Sequence, residues 1–139
     1  VRHADLERGR LAKAVLLGDW PAGLAALRVC WEGDPPEGFV NCGVCHTCVL
    51  TLLELEAAGC LARCPSCPVR AITPELAERL KSVQRTSIPF FAELVEPLEG
   101  RGRGDLAAVL RRKLAGIETH LARQARGPWW KRPFARRGT

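Results

Sequence analysis

A chain of 139 residues, 47% hydrophobic and 26% charged, has the length and balance of one ordinary domain able to bury roughly two thirds of its unfolded surface. No apolar run approaches the ~20 residues of a membrane span, which excludes a transmembrane segment. The first residues (Val1, Arg2, His3, Ala4, Asp5) also lack the charged-then-apolar layout of a secretory leader, so the expectation is a cytoplasmic, reducing location. Seven cysteines in such a compartment serve more readily as metal ligands than as disulfides, and their odd number agrees.

In chain order, residues 4–17 place Leu6, Leu11, Val15 and Leu16 near one face of a helix that Gly18 should stop. Asp19 is expected as the N-cap of a second helix, with Pro21 in its first turn, running through Leu24 and Leu27 to about Cys30. Residues 33–38 (GDPPEG) form a turn-rich loop. Residues 49–58 (VLTLLELEAA) are strong helix formers closed by Gly59. Thr73 and Pro74 start a helix reaching about Val83, and residues 88–98 (IPFFAELVEPL) read as an apolar helix closed by its second proline. Residues 100–104 read as a flexible basic linker. Asp105 then caps a long helix with Leu106, Leu110, Leu114, Ile117 and Leu121 on one stripe, ended by Gly127 and Pro128. No alternating run suggests a core strand.

The expected fold is therefore mostly α, a small single-domain helical protein built around a cysteine-ligated metal site. Residues 1–100 would be the metal-binding body, 101–127 the linker and basic amphipathic helix, and 128–139 a flexible basic tail.

The metal expectation rests on residues 42–67. Two thiolates separated by two residues grip one ion because the intervening turn brings both sulfurs to the same side, and Gly43 and Pro65 suit such turns. Eighteen residues separate Cys42/Cys45 from Cys64/Cys67, inside the range of a four-cysteine zinc site. They are the expected ligands, with Cys48 and Cys60 as further candidates. Cys30 reads as a packing residue on the second helix, since buried unliganded cysteine behaves as a small hydrophobe. His46 reads as solvent-facing or as a support to a ligand.

An iron–sulfur cluster is the alternative cofactor. Cys42, Cys45 and Cys48 reproduce the C-x₂-C-x₂-C run of cluster-binding ferredoxins, whose fourth cysteine, after three intervening residues, is Leu52 here. Cys60, Cys64 and Cys67 resemble the cysteine loop of radical S-adenosylmethionine enzymes, but the residues after them are too few for that family's barrel. Cys42-Gly43-Val44-Cys45-His46 fits a haem-attachment motif that requires export. The stretch from Cys30 to Cys48, with Cys42-Gly43-Val44-Cys45-His46-Thr47-Cys48, is similar to the small zinc module of bacterial clamp-loader ATPase subunits. It has a longer first spacer, and the chain carries no G-x-x-x-x-G-K-[ST] phosphate loop.

The net charge of +6 is unevenly placed: residues 101–139 hold eleven Lys/Arg against Asp105 and Glu118, while residues 1–100 hold ten against thirteen acidic residues. A basic third of this kind attracts polyanions. Arg111, Arg112, Arg123 and Arg126 lie off the apolar stripe, as does Lys113. Trp129, Trp130, Lys131 and Arg132 interleave aromatics with cations as single-strand binding requires. The three histidines are scattered and no nucleophile or metalloprotease motif is present, so no catalytic residue is assigned. The expected role is a nucleic-acid-associated or adaptor module. The alternatives are a redox or sensing iron–sulfur protein and a protein-interaction subunit that binds no nucleic acid.

Overall fold

The segment VLTLLELEAA is apolar on nearly every face, a pattern a helix can satisfy only when it is covered all round. In the computed structural model, which describes residues 8–81 and 85–125, this segment is the central helix. Six α-helices are present among the described residues, with no strand: α1 (Arg10–Gly18), α2 (Pro21–Ala26), α3 (His46–Ala58), α4 (Pro74–Glu78), α5 (Ile88–Gly100) and α6 (Gly104–Ala125). Short 3₁₀ turns occupy Leu61–Arg63 and Arg85–Ser87. The mostly α architecture is as expected.

α1, α4 and α5 pack around α3, and every residue from Cys48 to Leu55 is buried. Leu52, Leu53 and Leu55 are at most 1% exposed, each contributing about 1.5–3 kcal/mol by leaving water. α6 lies along α5, burying Leu106, Ala107, Val109, Leu110 and Ile117, while Leu114 and Leu121 are half-buried on the same stripe.

Gly59 ends α3 in the left-handed region at φ 75°, and a Cβ there would stand 2.1 Å from the Arg101 guanidinium. That side chain donates to the carbonyls of Ala57 (2.7 Å) and Ala58 (2.9 Å), satisfying the open end of α3. Arg103 beside it pairs with Glu56 and Asp105 and donates to the Ile72 carbonyl at 2.7 Å. The expected flexible linker at 100–104 is thus a tethered corner, because its two arginines cap and bridge the body.

Four boundaries differ from expectation for local reasons. Asp19 lies at the C-cap of α1, its N–H donating to the Leu16 carbonyl at 3.2 Å, and Trp20, whose N–H donates to the Leu17 carbonyl at 3.0 Å, is the N-cap of α2. α2 stops at Ala26, with Leu27 extended at φ −63°, ψ 117°, so Cys30 is not on a helix. α4 opens as expected, Thr73 Oγ1 accepting the Leu76 N–H at 3.3 Å, but ends at Glu78 rather than near Val83. α5 continues through Pro97 to Gly100. There, burial of Leu94 and Leu98 outweighs the ~3 kcal/mol cost of an internal proline.

Candidate metal centre

The extended path after α2 is dictated by one buried side chain. Asn41, 0% exposed, accepts the N–H groups of Val29 (2.8 Å) and Cys30 (3.1 Å) on its Oδ1. In a helix those two donors would bond carbonyls four residues back; here the amide intercepts them. Its Nδ2 donates to the carbonyls of Leu27 (2.8 Å) and Ser66 (3.0 Å) and lies 3.8 Å from Cys67 Sγ. One residue therefore ties the Leu27–Cys30 segment to the turn before α3 and to the Cys64–Cys67 loop.

This places Cys30 beside Cys42, Cys45 and Cys48, the four Sγ atoms all lying within 4.8 Å of one another. Four cysteines so gathered can hold a metal ion. Cys42 and Cys48 are buried, Cys30 and Cys45 half-buried. The Cys42 sulfur accepts the N–H of Val44 at 3.5 Å and of Cys45 at 3.3 Å and stands 3.8 Å from Cys48 Sγ. Gly43, at φ 74°, makes this tight turn. Gly33 crosses directly over the thiols: a Cβ there would lie 2.2 Å from Cys42 Sγ and 3.0 Å from Cys30 Sγ.

Burial opposes ionisation of Cys45. The Cys48 N–H and thiol, the Cys42 thiol and the Trp31 N–H outweigh it, however, and lower its pKa to about 7. Burial pushes the Cys48 thiol up, and the neighbouring sulfurs add to this. A cation placed among the four sulfurs would offset the mutual repulsion of their thiolates.

Of the ligands expected from spacing, Cys42 and Cys45 stand in this group together with the further candidate Cys48, while Cys64 and Cys67 form a separate pair 3.7 Å apart. Cys60 lies apart from both, its Sγ 3.8 Å from the Ala14 carbonyl. Cys30, expected to pack on a helix, is instead drawn in by Asn41. Neither Asn41 nor Gly33 was a sequence candidate. The only sign of them is an amide adjoining Cys42 and a glycine three residues after Cys30. His46 opens α3, its Nδ1 buried without a hydrogen-bond partner, outside the four-sulfur group.

The basic candidates on α6 are largely engaged. Arg111 pairs with Glu99, Arg112 with Glu78, and Lys113 with Glu78 (3.4 Å) as well as the carbonyls of Glu78 and Leu80 (both 2.9 Å). Arg123 is exposed and, with Arg112, Lys113 and His120, lines an open cleft. Arg126, Trp129, Trp130, Lys131 and Arg132 lie outside the described residues. No described helix is long and apolar enough to cross a membrane. Comparison with known proteins finds no family model, no curated protein and no solved structure that matches the chain.

Proposed function

We propose that Cys30, Cys42, Cys45 and Cys48 hold one structural zinc ion and that the module it organises is an adaptor surface. The observation that carries this is the closeness of the four sulfurs, all within 4.8 Å. Zinc–sulfur bonds of about 2.3 Å in a tetrahedron set ligand sulfurs about 3.8 Å apart. The Cys42–Cys48 separation of 3.8 Å is such an edge. Cysteines around a four-iron cube stand farther apart, because irons and sulfides lie between them, so the spacing favours zinc over the cluster. Four thiolates would complete the shell and leave no open position for substrate, which favours a structural over a catalytic role.

The adaptor reading draws on what surrounds the centre. Trp31 is 88% exposed, and Val40 and Val44 are exposed as well. Glu32, Asp34 and Glu37 follow Trp31 on an exposed loop, and four thiolates around a divalent ion would add two negative charges. Such an apolar, acidic rim suits a basic protein partner and repels phosphate. Contact with nucleic acid, the second reading, is supported by the excess of Lys and Arg over acidic residues in residues 101–139.

Elemental analysis of anaerobically purified protein tests the centre. One zinc per chain is expected, lost in Cys30→Ser and Cys42→Ser and retained in Cys64→Ser. A brown protein containing iron and sulfide, or zinc that survives Cys30→Ser, overturns it.

A further inference from the structure

The Cys64–Cys67 loop has its own chemistry, for which the four-sulfur centre has no use. The two sulfurs are 3.7 Å apart, and no group of three or more metal-ligating side chains among the described residues includes either. Two sulfurs alone do not complete a tetrahedral shell. The pair is nevertheless not inert packing. Ser66 Oγ lies 3.3 Å from Cys64 Sγ and 4.0 Å from Cys67 Sγ. The N–H groups of Ser66 and Cys67 also face the Cys64 sulfur. Cys60 makes the contrast: burial raises its pKa, and its sulfur lies 3.8 Å from the Ala14 carbonyl. The Cys64 sulfur also lies 3.7 Å from the Leu24 carbonyl, but the donors around it favour a thiolate, whereas at Cys60 burial outweighs Arg63 and Arg101 and favours the thiol.

We propose that Cys64 and Cys67 form a reversible dithiol–disulfide site, oxidised by hydroperoxides and distinct from the metal centre. The Cys64 thiolate attacks one peroxide oxygen; the S–O bond forms, the O–O bond breaks, and the departing hydroxide takes a proton to become water. Cys67 then attacks the sulfenic sulfur, forming the S–S bond and breaking S–O, while hydroxide leaves with the Cys67 proton as a second water. Two thiols lose two electrons, and one hydrogen peroxide is reduced to two waters. The sulfurs must close from 3.7 Å to about 2.05 Å, a movement that a one-turn loop can supply. The Ser66 hydroxyl 3.3 Å away and the N–H groups of Ser66 and Cys67 facing its sulfur make Cys64 the attacking thiolate; the adjoining Cys67 thiol, together with these donors, lowers its pKa.

Burial selects the oxidant. Cys64 and Cys67 are 0% and 2% exposed, so oxidation requires the Cys64–Cys67 loop to open locally, and a small oxidant such as hydrogen peroxide then enters before bulky disulfide reagents. The test uses the full-length, metal-replete chain with one equivalent of hydrogen peroxide, followed by peptide mapping and free-thiol counting. A Cys64–Cys67 linkage is expected, reversed by dithiothreitol and formed before any zinc is released. Ser66→Ala keeps both thiols and removes the hydroxyl. It should slow the reaction roughly three- to ten-fold, the range of one hydrogen bond, even if Cys64→Ser fails to fold. Oxidation that falls first on Cys30, Cys42, Cys45 or Cys48 overturns the proposal, as does a second zinc ion held by Cys64 and Cys67 or no linkage with excess peroxide. Zinc content reports on the four-sulfur centre separately, so failure of one reading does not imply failure of the other.

Discussion

Asn41 holds Cys30 in register with the other three thiols: its Oδ1 accepts the Cys30 N–H at 3.1 Å while its Nδ2 reaches the Ser66 carbonyl at 3.0 Å. Replacing it by alanine removes the partners of two donors and two acceptors, of which the Ser66 carbonyl is buried and the others part-buried. Asn41→Ala should cost about 2–4 kcal/mol of stability in denaturant titration. Zinc affinity, measured by chelator competition, should fall about 10–100-fold, as for other residues that orient a ligand. Asn41→Asp keeps the acceptor but places a negative charge among thiolates, so it should lose metal affinity at least as much. Wild-type affinity in Asn41→Ala would mean that Cys30 needs no such support.

Gly33 lies so near the thiols that a methyl group would overlap Cys42 Sγ at 2.2 Å. Gly33→Ala should therefore weaken zinc retention without touching any ligand. The helical signal of α5 and α6, which pack elsewhere, should be unchanged. Full zinc content in this variant would show that the 31–40 loop can move aside.

Much of the helical frame was legible because it follows from local chemistry: Thr73 before Pro74, Gly59 after an apolar run, and the Leu106–Ile117 stripe are signals a single segment carries. Cys42, Cys45 and Cys48 could be found for the same reason, since a two-residue spacer is a local constraint. Cys30 was legible only through the resemblance of Cys30–Cys48 to the clamp-loader zinc module, because the spacing from Cys30 to Cys42 is longer than that module's first spacer. Its position depends on Asn41, a tertiary contact that also ends α2 early. The tethered corner at Arg101 and Arg103 was hidden likewise, because glycine-rich basic sequence gives no hint of the carbonyls of Ala57, Ala58 and Ile72.

Removing the proposed zinc ion should loosen one end of the molecule only. Structural zinc contributes about 10–16 kcal/mol of apparent binding free energy in small fingers, comparable with a whole domain's stability. The Leu94, Leu98, Leu106 and Leu110 packing between α5 and α6 contains none of the four sulfurs. After chelation, hydrogen exchange should accelerate strongly at Cys30, Val44 and Cys45 and little at Leu106 to Leu110. Uniform acceleration would mean that the ion supports the entire fold.

Glu54 is a buried carboxylate whose pKa is raised above 4.5 by burial, although Arg10 Nε pairs with it at 2.5 Å. The folded state thus holds this proton more tightly than the unfolded state. Its contribution to stability is fully present below the unfolded pKa and is lost as pH rises through the folded value. Glu54→Gln removes that loss, and Arg10, 39% exposed, can regain water. Denaturation midpoints should show Glu54→Gln as stable as wild type or more so at pH 7, with the difference vanishing toward pH 4. A variant markedly weaker at pH 7 would mean that the Arg10 pair outweighs the cost of burial.

Nucleic-acid contact, if made, must draw on cations other than those α6 has committed. Arg111 and Arg112 are bound to Glu99 and Glu78, and Lys113 lies between Glu78 and two carbonyls. Arg112→Ala should therefore leave the salt dependence of single-strand binding nearly unchanged. Removing residues 128–139 deletes Lys131, Arg132, Arg136 and Arg137. Each phosphate contact on a single strand contributes about 0.7 to the log–log salt slope, so this truncation should flatten it by up to about three units. Trp129→Ala with Trp130→Ala keeps every charge; it should lower affinity by about 1–3 kcal/mol per lost base stack and preserve the slope. A full-length chain that binds neither single-stranded DNA nor RNA at low salt would remove this reading and leave the adaptor role alone.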